Sequence, residues 1–202
     1  MPPPLLQLSL RDGTPVALRP VVPEDRERLL DAFDQLSETS RRFRFLGSVS
    51  SLSDAQLRYL TDTDGVDHVA WGALDVRDLD APGFGIGRWI RLTEAPHVAE
   101  FSLTVLDDVQ GRGIGQLLLA VLAVTAQPLG VETLRGYISR DNVRMVGWMQ
   151  ALGATAADAA PDVVFDLPIP PDPAASVSAR EFVEQMDRVR EAMDAQRPDA
   201  GP

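Results

Sequence analysis

The chain has 202 residues, 45% hydrophobic and 24% charged, which suits one folded domain with a sizeable core. It contains no cysteine, two histidines and 19 basic residues that are all arginine; this excludes disulfides, thiol nucleophiles, lysine Schiff bases and the lysine of a P-loop, and argues against any metal site. A net charge of −11 argues against a nucleic-acid partner, no apolar run approaches the roughly 18 residues of a membrane span, and the opening MPPPLLQLSLRDG lacks the features of a signal peptide, so a cytoplasmic location is expected.

After an extension over residues 1–13, VALRP (16–20) reads as a first strand. PEDRERLLDAFDQL (23–36) reads as a helix with proline and acids in its first turn. The basic-aromatic SETSRRFRFLG (37–47) carries Arg41, Phe43, Arg42, Arg44 and Phe45, which either shape one side of a cleft or form a solvated helix end. SDAQLRYL (53–60) opens with a serine cap before a short helix. DHVAWGALDV (67–76) and GIGRWIRL (85–92) read as strands around a turn, with His68 structural and His97 in a surface turn. In VAEFSLTV (98–105), Ala99, Phe101, Leu103 and Val105 alternate with Glu100, Ser102 and Thr104, so the two sets face opposite sides of a strand.

A glycine-rich loop follows, and then a helix with an apolar stripe at Ile114, Leu117, Leu118, Val121 and Val124. ETLRGYI (132–138) reads as a strand, NVRMVGWMQALG (142–153) as a helix that stops at a glycine, and DVVFDLPI (162–169) as a last strand. Four prolines within 168–173 close the unit, giving a domain over 14–169 and a proline-rich linker with an amphipathic helix over 170–202. That helix shows Phe182, Met186, Val189 and Met193 on one face; it docks on its own domain, pairs with a second copy as a homodimer, or stays loose.

The glycine loop is the segment with chemistry in it. A dinucleotide fingerprint fails because counting from Gly111 puts Gln116 where the third glycine belongs, and a P-loop fails for want of lysine. What remains is Q-G-R-G-I-G, residues 110–115. Glycines let the backbone approach a ligand, and the leading N–H groups of a helix carry about half a positive charge with no partners. A diphosphate suits such a site, with Arg112 adding a charge-assisted contact; a bare strand-to-helix turn is the alternative.

The order of strand, Q-G-R-G-I-G, apolar helix, strand and R-D-N-x-x-M…L-G-A over 98–154 resembles the GNAT superfamily of acyl-CoA-dependent N-acyltransferases. The resemblance implies an α/β fold built on a GNAT-type mixed, mostly antiparallel sheet of six to seven strands flanked by helices. Its fourth and fifth strands splay apart and admit the pantetheine arm of acetyl-CoA. It implies further that the backbone of Leu103, Thr104 and Val105 pairs with the arm, that Gln110, Gly111, Arg112, Gly113, Ile114, Gly115 and Gln116 wrap the diphosphate, and that Asn142 lies beside the arm. Asn142 also reads as an ordinary N-cap.

A narrower likeness runs through LRDGTPVALRPVVPEDRERLLDAFDQLSETSRRFRFLG, DHVAWGAL and AEFSLTVLDDVQGRGIG, which look like the bacterial protein-lysine acetyltransferase (Pat-like) subgroup. That likeness implies that Glu100 is the general base; its other reading is a solvated carboxylate on the polar side of a strand. Many family members carry a tyrosine seven residues after the asparagine, where this chain has Met149. The function implied is acetyl-CoA-dependent transfer to an amine acceptor, a protein lysine first, with a small-molecule amine or a non-catalytic acyl-CoA-binding module as alternatives, and with no metal, nucleic acid or membrane involved.

Overall fold

The computed structural model describes residues 4–47 and 49–196. Eight strands among these residues form one sheet: β1 (Leu6–Ser9), β2 (Pro15–Pro20), β3 (His68–Asp75), β4 (Gly85–Leu92), β5 (Ala95–Val105), β6 (Thr133–Ser139), β7 (Thr155–Ala159) and β8 (Asp162–Pro168), in the order β1-β2-β3-β4-β5-β6-β8-β7. Every neighbouring pair is antiparallel except β5 and β6. The mixed, mostly antiparallel sheet agrees with the sequence reading, but it has eight strands instead of six to seven. The additional ones are β1, inside the segment read as an extension, and β7, whose TAADA lacks the alternation that marks a half-buried strand.

Among the described residues six α-helices flank the sheet: α1 (Arg26–Asp34), α2 (Glu38–Phe45), α3 (Asp54–Thr61), α4 (Ile114–Ala126), α5 (Val143–Ala151) and α6 (Val177–Asp194). The helix read over 23–36 starts as a single 3₁₀ turn, Pro23–Asp25, and the basic-aromatic segment is itself helix α2, started by Ser37, whose hydroxyl oxygen accepts the Ser40 N–H. His97 lies in the exposed first stretch of β5, not in a turn.

On one face of the sheet α4 packs against β3, β4 and β5, and its opposite side is covered by α6. This is why α4 is apolar nearly all round: ten of its residues are buried. The apolar face of α6 (Ala179, Phe182, Met186 and Val189) is buried, with α6 lying on α4 and β1. On the other face, α1 to α3 enclose a smaller core of Phe33, Leu36, Leu52, Leu57 and Leu60. No helix among the described residues is long and apolar enough to cross a membrane.

The feature that positions the site is the seam between β5 and β6. They pair only at Val98, Ala99 and Glu100 with Thr133, Leu134 and Arg135. Beyond that point β5 runs on along β4 to Val105 and β6 runs on along β8 to Ser139, so the two diverge. Phe101, 5% exposed, fills the floor of the fork with its ring against Gly136. A Cβ at Gly136 would lie 2.7 Å from that ring, so glycine is what lets the ring sit there.

Candidate functional site

The fork opens into a cleft of about 900 Å³. Its walls are the free stretches of β5 and β6, the loop before α4, the start of α5, and Phe43 and Arg44 of α2, with Arg11 and Asp12 reaching in from the β1–β2 turn. Leu103, Thr104, Val105, Gln110, Gly111, Arg112, Gly113, Ile114, Gly115, Gln116 and Asn142 all line it. Glu100 does not; it stands on β5 at the closed end of the fork, opposite Arg135 of β6.

The loop owes its shape to two left-handed residues, Gly111 at φ +82° and Gly113 at φ +97°, a region that a side chain strains. Gly113 is the N-cap of α4 and supplies no side-chain cap, and the first turn holds no acid. The leading N–H groups of α4 therefore meet the cleft without a protein partner on the helix. Gly115 is different: its φ is not left-handed, and a Cβ there would make only ordinary contact with Val105, at 3.9 Å.

Side chains brace this loop. The Gln110 amide donates to the Val105 carbonyl at 3.1 Å and to Ser40 Oγ at 3.4 Å. Asp107 accepts from the Ser37 N–H at 3.0 Å and from the Ser37 and Ser40 hydroxyls at 2.9 and 2.7 Å, tying the start of α2 to the loop. Arg112 donates to Asp12 at 3.1 Å and to Thr14 Oγ1 at 2.6 Å. Hydrogen bonds from Thr14, then Arg112, hold the Asp12 carboxyl down to about 2.

Asn142 caps α5, its side-chain oxygen accepting the Met145 N–H at 3.2 Å, while the residue also faces the cleft. Both readings of it thus coexist in the geometry. Met149 is fully buried in the main core and is not among the residues that line the cleft. Tyr137, 41% exposed, lines the cleft from β6. By strand alternation it lies on the same face as Arg135, and hence as Glu100.

Glu100 is exposed at the closed end of the fork, yet loss of hydration raises its carboxyl above the ordinary value, with Arg44 opposing the shift. Of the basic-aromatic set, only Phe43 and Arg44 reach the cleft. Arg41 stacks 4.4 Å above Phe33 and donates to the Leu36 carbonyl, Arg42 pairs with Asp141 at 3.2 Å, and Phe45 packs edge-on against Phe33.

Three residues were not among the predicted site residues. Arg144 folds over the loop, its Nη2 3.3 Å from where a Gly111 Cβ would stand; its place two residues after Asn142 was the available signal. Trp148 lines the cleft with a buried indole N–H that has no acceptor among the described residues. Arg88, 3% exposed, lies on the same sheet face as Glu100. Burial, with Arg44 adding repulsion, lowers its pKa to about 9. An arginine inside a strand gives no local sign that helices cover it.

A model described as the acetyltransferase (GNAT) domain matches residues 16–155. Acetyltransferase Pat of Mycolicibacterium smegmatis is 36% identical over 153 residues, covering 74% of this chain and 44% of the relative, so the chain spans less than half of that protein's length. An acetyltransferase of Pseudomonas aeruginosa is 35% identical over 145 residues, 72% of this chain and 77% of the relative. The crystal structure of the GNAT domain of S. lividans PAT superposes with a TM-score of 0.75 at 25% identity, covering 81% of this chain and 96% of that one.

Proposed function

Since this chain belongs to the GNAT acetyltransferase family, we propose that it transfers the acetyl group of acetyl-CoA to a primary amine, with a protein lysine as the acceptor. The observation that carries the reading is the pairing of a forked strand seam with a helix whose leading N–H groups are uncapped. Family members use acetyl-CoA, and the residues here fit it. The main chain from Leu103 to Val105 offers the amides of the arm an edge that β6 does not pair, with the Gln110 amide on the Val105 carbonyl. Gly111 to Gln116 surround the diphosphate, with Arg112 and Arg144 as the nearby cations. The orphaned Trp148 N–H is a donor that an amide oxygen of the arm would satisfy.

The chemistry follows from charge. A lysine amine, with a pKa of about 10.4, arrives protonated and cannot attack. Glu100 accepts that proton, directly or through one water, and its raised pKa suits it to the task. The freed nitrogen attacks the thioester carbonyl carbon; the C–N bond forms, the nitrogen gives up its second proton to water, the C–S bond breaks, and the departing thiolate takes a proton from water. A main-chain N–H of β5 near Val105 polarises the carbonyl oxygen. No covalent enzyme intermediate is needed, so the absence of cysteine is no obstacle.

Mass spectrometry of a lysine peptide library incubated with acetyl-CoA, with and without the protein, tests the reading. Protein-dependent acetyl-lysine together with released thiol supports it. Turnover confined to free amines moves the acceptor to small molecules. The burial of Met149 in the core, where many relatives carry a cleft tyrosine, favours a second reading as a non-catalytic acyl-CoA-binding module. Coenzyme binding with no turnover of any acceptor would establish that one.

A further inference from the structure

Beneath α1 to α3 lies a second, smaller cavity of about 90 Å³, which shares Arg44 and Thr104 with the cleft. In a chain of net charge −11 its charged lining is four arginines (Arg19, Arg28, Arg44 and Arg88) and one aspartate, Asp25. Asp25 is fully engaged at one end, where Arg19 donates to its two oxygens at 2.7 and 2.6 Å and Arg28 donates at 2.7 Å. The other end holds cations with no anion in contact. Arg88 donates to the Leu60 carbonyl at 2.9 Å and sits 3.1 Å from His68 Nε2. Arg44 makes no hydrogen bond or ion pair among the described residues; its guanidinium lies 5.1 Å from the centre of the Phe45 ring, and Glu100 attracts it without touching it.

Enclosed cations in proteins are ordinarily paired, and two unpaired guanidiniums that repel one another are a costly arrangement unless something else supplies the anion. The two planar forks suit a carboxylate, and the cavity has room for one. Ser102, the register partner of Arg88, adds a hydroxyl on the same face and lines the cleft. Along β5, Ser102 and Glu100 are two residues apart, about 6.6 Å at the strand rise. That separation suits an amine at Glu100 and a carboxylate on a neighbouring group.

We propose that Arg44 and Arg88 form a carboxylate subsite beside Glu100, so that the amine acylated here is one presented with a carboxylate a few ångströms away. The placement of the amine rests on the acyltransferase reading above; the anion site does not. At physiological salt the screening length is about 8 Å, so the local cations, and not the distant negative surface, govern a group bound between them. The carboxylate comes either from an acidic residue flanking a lysine or from a free amino acid.

The test compares a labelled lysine peptide flanked by aspartates with its asparagine twin, with unlabelled free lysine as competitor, all in the presence of coenzyme A. Binding is read by anisotropy and turnover by thiol release. The aspartate peptide is expected to bind about tenfold more tightly than its twin, a difference of about 1.4 kcal/mol. Arg44→Gln should bring that ratio close to one, and Arg44→Lys should retain part of it. Free lysine displacing the peptide at equal concentration identifies the small-molecule source, and its failure to do so the flanking acid; both support the subsite. Equal binding of the two peptides to the wild-type protein, or an undiminished preference in Arg44→Gln, overturns it. A preference that persists without turnover leaves the subsite standing and removes the acyltransferase reading instead.

Discussion

Glu100 and Asp25 occupy the same side of the sheet and titrate in opposite directions. For Asp25, burial works to raise the pKa, but hydrogen bonds from Arg19 and the Val22 N–H, with the charges of Arg19 and Arg28, outweigh it and hold the carboxyl below its ordinary value. Its contribution to stability is present above the ordinary carboxylate range and lost as pH falls through the lowered value. Asp25→Ala strands two arginines and is expected to cost about 3–5 kcal/mol in denaturant unfolding. For Glu100 the sign reverses: a raised folded pKa means that ionisation opposes folding, so its contribution is present below the ordinary value and lost as pH rises through the raised one. Glu100→Gln is therefore expected to melt no lower than wild type at pH 7, while kcat/KM falls about 10²- to 10⁴-fold and the acidic limb of the pH–rate profile disappears. The glycines divide similarly. Gly113→Ala forces a side chain into φ +97° and should destabilise by about 1–2 kcal/mol. Gly115→Ala should stabilise α4 by up to about 1 kcal/mol while weakening coenzyme binding in titration calorimetry, because its methyl group enters the cleft.

Elements differ in how plainly the chain announces them. Strands β5 and β8 and helices α4 and α6 were legible because their apolar residues recur at the period of a face that is buried. The strand β7 was not: at an exposed sheet edge nothing selects for alternation, and Thr-Ala-Ala-Asp-Ala pairs with β8 through backbone alone. Helix α2 was obscured because its charged residues are spread around it and none of its residues is fully buried. The glycine loop was legible because left-handed turns demand glycine at particular positions. The cationic cavity was not, since it brings together Arg19, Arg28, Arg44 and Arg88 from β2, α1, α2 and β4, which only the folded chain juxtaposes. The role of α6 is testable at this scale. Phe182, 2% exposed, helps to cover α4, and Phe182→Ala is expected to lose about 3–5 kcal/mol of stability, read as a lower denaturant midpoint with an unchanged slope.

For the molecule as a whole, ligand binding and stability are one measurement. Acetyl-CoA at a hundred times its dissociation constant should add about 2.7 kcal/mol, which for a domain of this size raises Tm by about 5–10 °C. A lysine-free chain also offers no lysine side chain for its own acetylation, so acetyl-lysine found in an assay belongs to the acceptor. The bonds to Asp107 join the two halves of the cleft in a way the sheet alone does not. One carboxylate grips the first turn of the helix that bears Arg44 and, four residues on, the chain enters the glycine turn at Gly111. The glycine turn and the helix of Arg44 are thereby laced together like two leaves of a book bound on one thread, and a ligand that draws the turn inward is expected to carry the guanidinium with it.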